Sequence, residues 1–371
     1  MALAQLAYNG PYPDGHPGNC MDVAAANGLE VMRNAVQNFP KFVPMQFFML
    51  ELLENMALDA NLRSRIASQG CIELIVTSMQ THSANVDLQI GSCQVLEKII
   101  KDSDVNEMKL SSCAGIEAAV MAMRLHVNSA EMQRSGARLL SLVAGNPGND
   151  MKLITIGGVD AMLKALTSFL THSMLQFHCL EVLGIILERG HNTVKVYEGG
   201  GATLAIKAMT EHSARPEVNE TACRLLQRLL STVSILDAVS GIIAAGGLQA
   251  VLNALHNHAS DSRTQVYALW CTALLCQNSK ENRAVALQPE MQKGLGGTMR
   301  SDALAMTTTA MTTFKDEVLV QLYGSWVIQS LSVGNEASPP YQTPLGSLWQ
   351  ESLSCGWEEG WKSARRQSGL A

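Results

Sequence analysis

Apolar residues return along this chain at helical spacing, three or four apart, inside a frame that itself repeats. Each frame opens on a small residue: Gly28, Cys71, Gly115, Gly158, Gly201, Gly247 and Ala303. Eighteen positions after each opening stands an amide, namely Gln46, Gln89, Gln133, Gln176, Asn219, Gln265 or Gln321. Successive openings lie 43, 44, 43, 43, 46 and 56 residues apart. A fixed period of this size marks a solenoid, whose repeats pack only on their neighbours.

The stretch from Asn106 to Val143 shows what one frame predicts. Asn106 is placed to cap a short helix through Lys109 and Leu110 that stops before Gly115. The same device returns at Asn149 and Asn192, each nine positions before an opening, and Pro17-Gly18-Asn19 echoes Pro147-Gly148-Asn149. The opening glycine permits a sharp bend into a second helix of about ten residues. Late in that helix a small residue always precedes a large one, as in Ala35-Val36, Ala122-Met123 and Ala165-Leu166. Such pairs let neighbouring helices interlock. A third, longer helix runs from Glu131 to Val143, with Gly136, Leu139, Leu140 and Val143 on one side. The expected fold is all-α, with about seven three-helix repeats.

The frame covers residues 19–335. Residues 1–18 read as a remnant of a preceding repeat and a loop, since Ala2-Leu3-Ala4-Gln5-Leu6-Ala7 resembles the last turns of a third helix. The period stops after Asn335 and Ser338-Pro339-Pro340 breaks any helix, so residues 336–371, with Trp349, Trp357 and Trp361, read as an irregular or disordered tail. The long interval before Ala303 places 13 surplus residues at Glu290 to Asp302, where Gly294, Gly296 and Gly297 predict a flexible surface loop.

Composition changes this picture little. The chain is 47% hydrophobic but 5% aromatic, with 19 Met, as suits helices packed by aliphatic side chains. Its net charge of −6 supplies no field for nucleic acid or anionic lipid. Nine Cys include no C-x-x-C pair and no Cys/His cluster of zinc type. Cys93, Cys223 and Cys271 fall on inner helix faces, which points to a reducing compartment, cytoplasmic with the nucleus left open. Met1 to Asn9 lacks a charged n-region, and no run of about 20 apolar residues predicts membrane insertion.

A short helix, a bend and two longer helices in about 43 residues resemble the armadillo repeat, over residues 19–335. HEAT repeats are the near alternative; the Gly-Gly pairs at Gly157-Gly158, Gly200-Gly201 and Gly246-Gly247 favour armadillo. The Ala-Met…His…Gln run is also similar to the armadillo region of the large leucine-rich repeat kinases, without any kinase or GTPase motif. The resemblance implies a right-handed α-solenoid whose third helices line a concave groove. Peptide-holding members of the family carry Asn nine residues after the Gln, and nuclear-transport receptors add Trp four residues before that Asn. Here only Asn55 keeps the amide, and Trp270 and Trp326 stand without such an Asn, so a cargo receptor of that class is disfavoured.

The groove positions instead read Lys98, Arg138, Arg224 and Arg228, with Glu51 and Glu181 interspersed. Cations beside indoles suit a protein segment with acidic and apolar residues. The alternative is that the charges form a solvated face and the two Trp pack between repeats. His82, His126, His212 and His258 fall eleven residues after their openings, where Phe39, Phe169 and Phe314 stand elsewhere. A position shared by His and Phe reads as structural: His there can answer the carbonyls at its own helix end. Copies one repeat apart, roughly 10 Å, cannot share a metal ion. No nucleophile-and-base signature appears. The expectation is a non-enzymatic scaffold without cofactor, metal or small-molecule substrate. A rival reading is a regulatory or structural armadillo segment of a longer multidomain signalling protein, which the incomplete repeat before Asn19 supports.

Overall fold

The computed structural model describes residues 19–188, 193–232, 235–277, 279–288, 290–294 and 297–332. They form an armadillo-like α-solenoid. The first helices are α1 (Asn19–Ala25), α4 (Ala60–Ser68), α7 (Asp104–Ser112), α10 (Asn149–Thr155), α13 (Thr193–Glu198), α16 (Ile235–Ala244) and α19 (Lys280–Ala286). The second helices are α2 (Gly28–Asn38), α5 (Cys71–Thr81), α8 (Gly115–Leu125), α11 (Gly158–Ser168), α14 (Gly201–Glu211), α17 (Gly247–Asn257) and α20 (Ala303–Thr313). The third helices are α3 (Val43–Met56), α6 (Val86–Ile100), α9 (Ala130–Val143), α12 (Ser173–Glu188), α15 (Pro216–Thr232), α18 (Ser262–Cys276) and α21 (Val318–Ser332). The segments read as a remnant and a tail lie outside the described residues.

Each second helix begins on its opening residue, but the bend belongs to the residue before it. Gly157 has φ of 83°, in the left-handed region, and Ala114 takes φ of 64° at the same place in the preceding repeat. The opening glycine is needed for close approach instead: a Cβ on Gly158 would stand 2.8 Å from the Leu153 carbonyl oxygen. That corrects the expectation that the opening glycine supplies the turn.

The recurring amide joins the second helix to the third. Gln133 Nε2 donates to the carbonyls of Met123 at 2.7 Å and His126 at 3.2 Å, at the end of α8. Gln89, Gln176, Gln265 and Gln321 make the same two bonds, and Asn219, one carbon shorter, reaches the carbonyls of His212 and Arg215. The amide thus reaches a carbonyl of the second helix's last turn and adds a second donor to the carbonyl that opens the following turn, from inside the repeat.

With that end already answered, the histidines turn elsewhere. Nε2 of His82, His126 and His212 lies 2.7 Å from the carbonyl oxygens of Pro40, Ser83 and Leu170. Each of these belongs to the turn of the preceding repeat. The role is structural, as expected, but it staples repeat to repeat and does not cap the histidine's own helix. Asn106 also departs from expectation. Ser103 caps α7, and Asn106 Nδ2 donates backwards to the Ile99 carbonyl at 2.9 Å. Asn149 reaches Val143 in the same way, at 2.8 Å. Asn192 lies outside the described residues.

Asn282 Nδ2 repeats this bond to Leu275, at 2.7 Å, which fixes α19 as a first helix. The surplus residues therefore form an insertion between a first and a second helix. They are not the expected loop: β1 (Glu290–Gly294) pairs antiparallel with β2 (Gly297–Ser301), with Glu290 opposite Ser301 and Gly294 opposite Gly297. Asp302 then caps α20 in place of a left-handed residue.

Candidate partner-binding groove

The third helices pack on one another in sequence from α3 to α21 and form one continuous layer, the one that lines the groove in an armadillo fold. Their Leu, Ile, Val and Cys stripes are buried on the side facing the other helices. The opposite side leaves the charged positions in a row.

Every predicted cation in that row meets a carboxylate from the third helix of the preceding repeat. Lys98 Nζ is 2.6 Å from Glu54 Oε1, joining α6 to α3. Arg138 is 2.6 Å from Glu97, joining α9 to α6. Between them Gln94 Nε2 donates to Glu131 Oε1 at 3.2 Å, and Arg134 Nε donates to Glu131 Oε2 at 3.0 Å. The hydrogen bond from Arg134 holds the Glu131 carboxyl below its ordinary pKa, against a smaller effect of burial.

Further along, Arg224 and Arg228 of α15 share one carboxylate, Glu188 of α12, at 3.9 and 4.0 Å. Arg224 is buried and lies across Gly184, where a Cβ would come within 3.3 Å of its Nε. Burial opposes its charge. Glu188 is the largest of several groups that outweigh burial, so its pKa is raised. Beside it Glu220 is pushed above the usual carboxylate range by burial, with Arg224 and Arg263 pulling the other way. Glu181 is buried, with Oε2 3.7 Å from His178 Nδ1, which in turn lies 3.4 Å from Ser141 Oγ.

At the far end the ring of Trp270 stacks on Tyr323 of α21, centroids 4.5 Å apart and planes 15° from parallel. Trp270 is buried by this contact, whereas Trp326 stays half-buried against the core. Asn55 is half-buried near the end of α3. The layer therefore brings Lys98 and Arg138 together with acids at a half-exposed surface, and sinks Arg224 and Trp270 between helices. Among the described residues no three His, Cys, Asp or Glu side chains converge as metal ligands do.

Glu54, Glu97, Glu188, Gly184 and Tyr323 escaped the sequence reading. Lys98 and Glu54 are 44 residues apart, one repeat, so pairing opposite charges at that interval would have found the first of them. Glu188 sits 36 and 40 residues before its two partners, off the period, and gave no such signal.

The chain matches the LRRK2 ARM repeat family over residues 117–341, more than half its length. No curated protein matches it. Among solved structures, one from work on a phosphorylation switch in the interaction between cadherin and β-catenin aligns with a TM-score of 0.55 at 14% identity, covering 89% of this chain and 72% of that one. An engineered protein aligns with a TM-score of 0.53 at 20% identity, covering 71% of this chain and 99% of that one. At such identities the two likenesses establish the fold alone.

Proposed function

Because the chain belongs to the LRRK2 ARM repeat family, we propose that it is a non-enzymatic scaffold that binds a segment of a partner protein along its third-helix layer. An armadillo solenoid supports protein–protein interaction as a class. The observation that carries the finer reading is the ladder of exchangeable ion pairs. Lys98 and Glu54 are each more than one-third exposed, and such a pair contributes only about 0–1 kcal/mol. A partner carboxylate can replace Glu54 at little net cost and gain the Lys98 cation. The occupant is then a segment bearing acidic residues for Lys98 and Arg138 and apolar ones for the end at Trp326. Asn55 and Arg228 line that surface, and Arg224 and Trp270 shape it from beneath.

Within a longer polypeptide the same array would act as a regulatory or structural segment of a multidomain signalling protein, a reading that the family match supports. We place it in a reducing compartment, cytoplasmic or nuclear. The eight described cysteines are free thiols, and burial pushes those of Cys71 and Cys93 up to about 12.

The test is partner capture by wild type, by Lys98→Glu/Arg138→Glu, and by Arg124→Glu on the second-helix layer, with helix content matched by circular dichroism. Partners lost only by the first variant support the groove. Partners lost only by Arg124→Glu, or retained by both, sink it.

A further inference from the structure

The junction between the third and fourth repeats lacks a staple that its neighbours have. His82, His126 and His212 each meet the carbonyl twelve residues after the preceding opening, at Pro40, Ser83 and Leu170. The fourth repeat places Phe169 at the histidine's step, so the matching residue, Val127, receives no histidine. A cavity of about 330 Å³ opens at this junction, between α8 and α11. Val127 lines it together with buried Met123, Gln133 and Ala161, and Arg124 and Lys164 stand exposed at its rim. Two repeats precede this pair and three follow it, so the cavity belongs to the interior of the array.

The rim carries unmatched charge. Arg124 reaches across the junction, where a Cβ on Gly157 would lie 3.7 Å from its Nη1. No salt bridge among the described residues includes Arg124 or Lys164, whereas each cation of the third-helix row has its acid. Asp160 stands at the same rim, but its Oδ2 is held 2.8 Å from Lys195 Nζ on α13. Two cations beside one committed carboxylate suit a single added negative charge, carried between them by charge-assisted hydrogen bonds. A dianion would meet Asp160 as well.

Ligand pockets measure about 300–1,000 Å³ and set a few placed polar groups among apolar walls. Met123, Val127 and Ala161 supply the walls here. The remaining donors are already used: Gln133 Nε2 on the carbonyls of Met123 and His126, and the Gly157 N–H on the Ile154 carbonyl at 3.3 Å. A peptide backbone entering the cavity would have to compete with its own carboxylate for Arg124 and Lys164. That favours a ligand without a backbone.

We propose that this cavity binds a small apolar monocarboxylate, its chain among Met123, Val127 and Ala161 and its carboxylate between Arg124 and Lys164. The site lies on the second-helix layer and stands whether or not the groove takes a partner.

Isothermal titration calorimetry of the full chain with octanoate tests it. Octanoate should bind saturably, and octanamide, the same chain without the charge, about tenfold or more weaker. Arg124→Gln/Lys164→Gln should weaken octanoate about tenfold or more and leave octanamide unchanged. Ala161→Leu should abolish both by filling the cavity. It is a mild change, since Leu74 and Leu204 are buried at this step in other repeats. Lys207→Gln, exposed on α14 and outside the cavity, should bind like wild type. A wild type that takes up no octanoate, octanoate affinity unchanged in either cavity variant, or phenyl phosphate held more tightly than octanoate would overturn the proposal.

Discussion

Gln133 illustrates how one side chain can set a repeat. Its Nε2 satisfies two carbonyls at the end of α8 from a buried position on α9. Replacing it with Ala takes the side-chain donor from the Met123 carbonyl in a buried site, while the His126 carbonyl keeps the Ser129 N–H. Gln133→Ala should destabilise the protein by about 1–3 kcal/mol, read from the midpoint of urea unfolding at unchanged slope. A change below about 0.5 kcal/mol would mean that the amide is incidental. The position of this residue was legible in the sequence because it recurs. Its bond was not, since the partners are backbone atoms that every residue carries. The histidines show the same limit: recurrence marked them as structural, but only the geometry shows that they reach across to Pro40, Ser83 and Leu170.

Among the elements, the bend from first to second helix decides how each repeat closes. In every repeat but the last it takes a left-handed residue, supplied by glycine at Gly70, Gly157, Gly200 and Gly246, by Asn27 in the first repeat and by Ala114 in the third. A Cβ in that conformation is strained by roughly 1–2 kcal/mol, and glycine gives back part of the gain through its looser unfolded state. Ala114→Gly should therefore stabilise the protein by roughly 0.5–1 kcal/mol, against the usual direction of Ala-to-Gly changes in a helical protein. Loss of stability would show that the residue is not strained. The helices themselves were legible from spacing and small residues, down to the opening residue of each second helix. The hairpin at Glu290–Ser301 was not. Its glycines signalled a loop, and the strand pairing depends on register between two short polar runs that alternation does not reveal.

At the scale of the whole molecule, the array is a row of packed third helices, with opposite charges paired across the junctions of α3 with α6, α6 with α9 and α12 with α15. The solenoid was legible in the sequence because stacking must repeat what each unit exposes. The groove was only half legible. The cations at Lys98, Arg138, Arg224 and Arg228 stood out, but the acids that meet them sit on neighbouring repeats, and burial of Arg224 and Trp270 follows from how closely α12, α15, α18 and α21 approach. The most direct measurement is a photo-crosslinking scan in cells, with the reactive side chain placed singly at Glu51, Gln94 and Arg134 on the third-helix layer and at Met121 and Met151 on the other layers. The expected result is one partner crosslinked from the three third-helix positions in consecutive order along its sequence. Crosslinks that arise only from Met121 or Met151 would contradict it.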